Sequence, residues 1–526
     1  MGIKRYHAIK DTTLTNAFDV ALKNRASGSN MGASDILEAF SIYGQETTSS
    51  TELSRILIKF PVTGANSINA DRTDGKIPDS GSVSFYLRMF NARHSEQLPR
   101  ELILNVLAVS QSWQEGFGLD MIDYTDETKD TIEGSNWINR NSSPTLDTWK
   151  KIGGDYHTAS SNSEVMYTTN FNNGDEDLEV DVTQLVEEWI LGNAGGATEI
   201  KNNYGFGVFL TSSQEGYHSS STGQDSGSIP HNPDGSQKSF YTKRFFSRTS
   251  EFFFKRPIIE ARWDSRILDD RSNFYYSSSL APGSDNLNKI YLYNYVRGRL
   301  RNIPAVGRGP ILVSVYSGSS DDTSPSGSKL KLSVGGDVAA AADLNITGGF
   351  VTTGVYSASF AFTGSSTLTT FYDVWHSGTT QYFTGSIAPK TLESPGWNQY
   401  SQYTSKITNL KSVYNSQETA RFRVFARPRN FTPTMYTVST TDVENTIIQS
   451  ASYEVIRMVD NARVINNSTS SVDLHTYLSY DNSGSYFDLD MSMLEPGYMY
   501  AIQLLYFNSD GWRKQEELFK FRVESN

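Results

Sequence analysis

Period-two alternation of apolar and polar residues runs through most of the chain. In Arg55-Ile56-Leu57-Ile58-Lys59-Phe60, Ile56, Ile58 and Phe60 fall on one face, and Val83, Phe85, Leu87 and Met89 share a face of the next strand. Residues 102–109 are apolar almost throughout, which predicts a strand covered on both sides. Residues 204–210 predict another, with Gly205 and Gly207 leaving room for a close neighbour. A strand over 252–259 is expected to carry Pro257 at an edge or bulge. One segment changes period: Asp181 precedes Val182-Thr183-Gln184-Leu185-Val186-Glu187-Glu188-Trp189-Ile190 as an N-cap, Leu185 and Trp189 lie one turn apart, and Gly192 offers a stop. Residues 14–26 are a second, shorter helix candidate.

The strand run pauses at Trp263-Asp264, before the polar stretch 269–286. Strands resume at 311–316, 330–334, 350–362 and 369–374, around a Ser/Asp/Gly-rich loop at 318–328. A second pause lies at 406–412. Beyond it Ala420, Phe422, Val424 and Ala426 alternate with Arg421, Arg423 and Arg427. Segments 453–458 and 462–465 flank the turn Val459-Asp460-Asn461, and 499–507 and 519–523 flank Asn508-Ser509-Asp510-Gly511. The expectation is an all-β chain: a jelly-roll β-sandwich with one short helix over 1–263, then two smaller immunoglobulin-like β-sandwiches over 264–408 and 409–526. A length of 526 residues accommodates about three such domains.

Composition narrows the function. Aromatics at 12% and hydrophobics at 37% suit several small sandwiches. The net charge of −12 repels phosphate backbones and gives no support for nucleic-acid partners. The absence of cysteine removes disulfides, thiolate zinc sites and cysteine nucleophiles, and points to folding in a reducing cytosol. No apolar run follows Lys4-Arg5, so no signal peptide is expected, and no stretch of about 18 apolar residues predicts a membrane span.

Several short motifs, in order, resemble the DNRLRE-domain family, whose relatives are carbohydrate-binding modules accompanying alginate lyases. They are Asn30-Met31-Gly32, the strand ending in Phe60, Ser112-Trp113-Gln114-Glu115-Gly116, Trp137, Trp149-Lys150-Lys151-Ile152-Gly153-Gly154-Asp155, Asp181-Val182-Thr183 with Val186 and Trp189, Asn203-Tyr204-Gly205-Phe206, Phe246-Ser247-Arg248 and Arg256-Pro257. The resemblance covers residues 8–263 and implies a jelly roll with a helix across its end. Segments 120–133 and 212–238 look like inserts. Ile3-Lys4-Arg5-Tyr6, Asn30-Met31-Gly32-Ala33-Ser34-Asp35 and Ile42-Tyr43-Gly44-Gln45 also resemble virion structural proteins of marine tailed phages with contractile tails. That likeness implies a particle component.

Candidate chemistry is sparse. Trp113, Trp137, Trp149 and Trp189 offer either a sugar-stacking platform or core packing; Trp137, Trp149 and Tyr156 are the candidate glycan contacts. Gln224-Asp225-Ser226-Gly227 superficially matches a serine-protease nucleophile loop, without recognisable His and Asp elements. The seven histidines are scattered and show no metal-helix spacing. No cofactor is expected, except that Asp175-Glu176-Asp177 with Asp181, or Asp481 with Asp488 and Asp490, could hold a structural calcium. Arg297, Arg299, Arg301 and Arg308 form the densest basic cluster, read as a docking strip or as a solvated face, on an extended connector marked by Pro304, Gly307 and Pro310. The expected function is a non-enzymatic tail, baseplate or fibre-attachment component, assembled in the host bacterial cytoplasm in symmetric copies with other virion subunits. The alternatives are polysaccharide binding, or capsid decoration as a head fibre.

Overall fold

The computed structural model describes residues 2–525, apart from 44–49, 95–98, 120–133, 143–144, 159–165, 193–201, 319–326, 338–342, 363, 365–367, 391–402, 430, 433–434, 436–444 and 509–510. The expected insert at 120–133 and most of the loop at 318–328 lie outside the described residues. The protein is all-β. It divides into two compact units, Gly2–Asp264 and Ser265–Asn526.

The first unit holds strands β1 (Ile3–His7), β2 (Lys10–Thr15), β3 (Ile36–Tyr43), β4 (Thr51–Lys59), β5 (Ser84–Met89), β6 (Leu102–Ala108), β7 (Asn139–Asn141), β8 (Asp147–Thr148), β9 (Met166–Phe171), β10 (Leu178–Asp181), β11 (Phe206–Leu210), β12 (Phe240–Phe246) and β13 (Ile258–Arg262), with helices α1 (Ile68–Thr73) and α2 (Thr183–Leu191). A four-stranded sheet in the order β1-β13-β5-β10 faces a seven-stranded sheet ordered β12-β3-β4-β11-β6-β9, with β2 on β4. The alternating residues Ile56, Ile58, Phe60, Phe85, Leu87, Met89, Leu104, Val106 and Phe206 meet between them in one buried cluster, which Leu185, Val186 and Trp189 of α2 close at the end. Thr183 ties α2 to β5 by accepting the Phe85 N–H at 2.8 Å.

Three local expectations need correction. Residues 14–26 form no helix: Leu14 belongs to the threonine-rich strand β2, whose Thr12, Thr13 and Thr15 are all buried. A buried polar strand has no apolar alternation to announce it. The capping position of α2 is Val182, with the Asp181 carboxylate accepting the Thr183 N–H at 2.9 Å. Residues 253–255 make a 3-10 turn, and Pro257 immediately precedes β13, a strand flanked on both sides. Its missing N–H is not needed there, while its carbonyl accepts the Ala8 N–H at 3.1 Å.

The second unit contains β14 (Asn288–Tyr293), β15 (Tyr295–Val296), β16 (Arg299–Leu300), β17 (Ile311–Tyr316), β18 (Leu332–Ser333), β19 (Ile346–Thr352), β20 (Val355–Phe362), β21 (Phe371–Ser377) and β22 (Thr380–Ile387), followed by β23 (Tyr403–Ile407), β24 (Val413–Asn415), β25 (Thr419–Pro428), β26 (Ala451–Arg457), β27 (Ala462–Ile465), β28 (Ser479–Asp481), β29 (Gly484–Asp490), β30 (Met499–Asn508) and β31 (Gly511–Glu524). The path β14-β20-β19-β17-β21-β22 folds over at β19, whose first half pairs with β17 and second half with β20. Gly348 stands at that corner, where a Cβ would come within 2.7 Å of the Ser357 carbonyl. The remaining strands form sheets β23-β25-β29-β28 and β24-β31-β30-β26-β27, an immunoglobulin-like sandwich. Phe422, Phe487 and Tyr453 stack across its centre at 5.2 and 4.1 Å. Because β23 pairs with β25, this sandwich begins before residue 409.

Candidate functional site

The aromatic side chains singled out in the first unit are packing residues. A layer built from the described residues of 110–119, 134–142 and 145–157 covers the far face of the seven-stranded sheet, and Trp113, Trp137 and Trp149 join Leu14, Leu53, Leu57 and Val109 in a second buried cluster. Trp137 is 0% exposed and Trp149 5%, so neither indole presents a face to a sugar. Their indole N–H groups donate to the carbonyls of Ser228 and Asn136, each at 2.9 Å. Tyr156 lies against Phe209 with ring centres 4.7 Å apart, and its hydroxyl donates to the Gly153 carbonyl. Gly207 is the room left for that ring: a Cβ there would fall 2.1 Å from it. The glycan contacts expected at Trp137 and Trp149 are therefore corrected to a third packed layer, against which the half-buried Tyr156 also packs.

The short motifs are also loop staples. Glu115 receives Arg248 at 2.6 and 2.7 Å and the Asp11 N–H at 2.8 Å, while Asp11 accepts the Arg248 N–H at 2.6 Å. Burial pushes the Asp11 carboxyl up to about 7; the Arg248 N–H opposes this and the Glu115 charge adds to it. Asn30 bridges four backbone groups: Glu115 and Ser135 carbonyls, Gly32 and Gly118 N–H. Asp155 accepts the N–H groups of Lys150 and Lys151, and Asn203 donates to the Phe60 carbonyl. Segment 224–227 is an exposed turn closed by Ser226 and Ile229, with Asp225 holding the His231 backbone N–H.

On the opposite side of the sandwich, Glu260 of β13 is surrounded by Arg5 at 2.8 Å, Arg88 at 3.2 Å and Arg262 at 2.8 Å. Burial alone would raise its pKa; the three guanidiniums overcome that and hold the carboxyl well below the usual range.

Neither proposed calcium loop gathers three ligating side chains, and no such group occurs among the described residues. The cation inside the 175–177 segment is the ammonium of Lys243, which donates to the Gly174 and Glu176 carbonyls at 2.8 and 2.6 Å. Asp481 and Asp488 pair with Arg423 and Arg421 at 2.6 and 2.7 Å, and Asp490 caps the turn Met491–Met493.

The basic cluster stands differently. Strands β15 and β16 form a two-residue hairpin, with Arg297 at φ 52° and Gly298 at φ 75° in the turn. Two successive positive φ values mark the type I′ turn that the twist of a tight hairpin prefers. Asparagine or glycine suits its first position; arginine is strained there. Arg297, Arg299 and Arg301 are exposed, line a depression of about 580 Å³ with Val296, and make no ion pair among the described residues. Tyr295 and Val296, 59% and 45% exposed, give the tip an apolar side. Arg308 is placed apart, over the Phe350 ring at 5.3 Å. The expected extended connector is a compact turn, pinned where Tyr356 accepts the Ile303 N–H and donates to the Gly307 carbonyl.

A second concavity in this unit, of about 970 Å³, is lined by Ser272, Asn273, Tyr275, Tyr403, Asn445, Gln449, Asn482 and Phe507 among others, with Lys390 the one charged group among the described residues of its lining. Amides, hydroxyls and ring faces can hydrogen-bond and stack without demanding charge.

No family model matches the chain. No curated protein gives a significant match. Among solved structures, the chain is similar to the N-terminal four Ig domains of Dscam1 isoform 6.9 at 10% identity, over 45% of this chain and 41% of that chain, with a TM-score of 0.13. The Ig1-2 module of Drosophila receptor protein tyrosine phosphatase DLAR matches at 10% identity over 46% of this chain and 91% of that chain, TM-score 0.14. Salmonella alpha-2-macroglobulin aligns along 100% of this chain and 34% of its own at 8% identity, TM-score 0.14. At TM-scores this low the likeness does not extend to a superposable fold.

Proposed function

We propose that this protein is a non-enzymatic structural component of a tailed-phage virion, a tail, baseplate or fibre-attachment adaptor that docks an acidic neighbouring subunit through the hairpin 295–301. One observation carries the docking assignment. In a chain of net charge −12, three arginines within five residues stand exposed with no carboxylate partner among the described residues, on a turn whose backbone is strained by one of them. Other arginines, Arg55, Arg72, Arg248 and Arg271 among them, are paired with carboxylates inside the sandwiches. Guanidinium forks bind carboxylates bidentately, so an acidic surface is the matching partner. The placement in a virion draws on the N-terminal resemblance to phage structural proteins. Purified particles assembled with a chain carrying Arg297→Ala, Arg299→Ala and Arg301→Ala test the reading by the occupancy of that chain.

The polysaccharide reading moves to the cleft near Tyr403 and Phe507, whose neutral amides and rings suit an uncharged sugar. The full chain on a glycan array decides it. Binding that disappears in Tyr403→Ala supports this reading, and binding to no glycan removes it.

A further inference from the structure

We infer that Lys243 and Asn91 join in an intramolecular isopeptide bond that locks the two sheets of the first unit together. The two residues meet where the sandwich would otherwise open. Beyond β5 of the four-stranded sheet, the chain runs along β12, the edge of the seven-stranded sheet: Phe246 N–H donates to the Phe90 carbonyl and Ala92 N–H to the Arg244 carbonyl, both at 3.0 Å. Asn91 lies opposite Phe245.

Lys243 is 0% exposed, an unusual place for an amine. Its Nζ lies 2.7 Å from Asn91 Oδ1, between the rings of Phe171 and Phe245 at 4.7 and 5.2 Å. With an acceptor angle near 120°, the Asn91 Cγ is about 3.5 Å from Nζ, at the edge of near-attack separation. Burial pushes the ammonium down to about 8, against the raising pull of Glu176, Asp177 and Asp175, so neutral amine is present in mildly alkaline water. Asp177 is held against Asn91, accepting its backbone N–H at 2.7 Å.

The step balances without oxidant or cofactor. The Nζ lone pair adds to Cγ, the Cγ–Nδ2 bond breaks, and Nδ2 leaves as ammonia, taking a proton released from Nζ. A lysine ammonium and a carboxamide become a secondary amide and an ammonium ion. The link spans 152 positions in a chain that has no cysteine to close such a loop.

The intact mass of the folded full chain tests this. After incubation at pH 9, wild type is expected to be lighter than its sequence by one ammonia, and a proteolytic digest is expected to yield one branched peptide containing Lys243 and Asn91. Lys243→Arg and Asn91→Ala should each restore the sequence mass. A folded wild type at full sequence mass, with Lys243 recovered in an unmodified peptide, overturns the proposal without needing any variant to fold.

Discussion

Asp11 shows how little a residue's letter says of its work. It lies in a threonine-rich strand, is 1% exposed, and shares Arg248 with Glu115. Its carboxyl is raised by burial to about 7 from an ordinary 3.8, so the folded chain holds this proton more tightly than the unfolded one. The sign follows: its contribution to stability is present below about pH 4 and is lost as pH climbs through about 7. Asp11→Asn keeps an acceptor for the Arg248 N–H and removes the buried charge. It should raise the urea midpoint at pH 8 and flatten the stability loss between pH 4 and 7; an unchanged pH profile contradicts the assignment. At this scale the motifs of the sequence were legible as positions, while their roles were not. Glu115 and Arg248 are 133 positions apart, and only the folded loop layer makes them partners.

Elements were more legible where one face meets a core. Ile56, Ile58 and Phe60, and Ala420, Phe422, Val424 and Ala426, alternate because a two-sided strand must. The tryptophans were ambiguous because a loop laid over a sheet's second face has no period. Hairpin 295–300 is an element whose sequence opposes its own geometry. Arg297→Asn places a residue tolerant of positive φ in the turn and should stabilise the second unit by about 0.5–1 kcal/mol. A thermal melt reads this directly; a lowered midpoint would show that the arginine is structurally required. Gly354 supports the same hairpin, since a Cβ there would meet the Arg301 N at 2.5 Å.

At the scale of the molecule, the alternation in the sequence was enough to read an all-β chain of sandwiches. The fold-over of the middle sheet at β19 was not, because the change of partner along one strand depends on Gly348 and on neighbours distant in sequence. Among what remains exposed after the cores are filled is an arginine tip with no carboxylate partner among the described residues, on an acidic protein. The most direct measurement is quantitative mass spectrometry of gradient-purified particles. Wild type should be present at a fixed ratio to the other subunits, and the folded triple Arg→Ala chain should be depleted at least tenfold, about 1.4 kcal/mol or more of lost docking energy. Equal occupancy by the two chains, or no wild-type chain in the particle, contradicts the account.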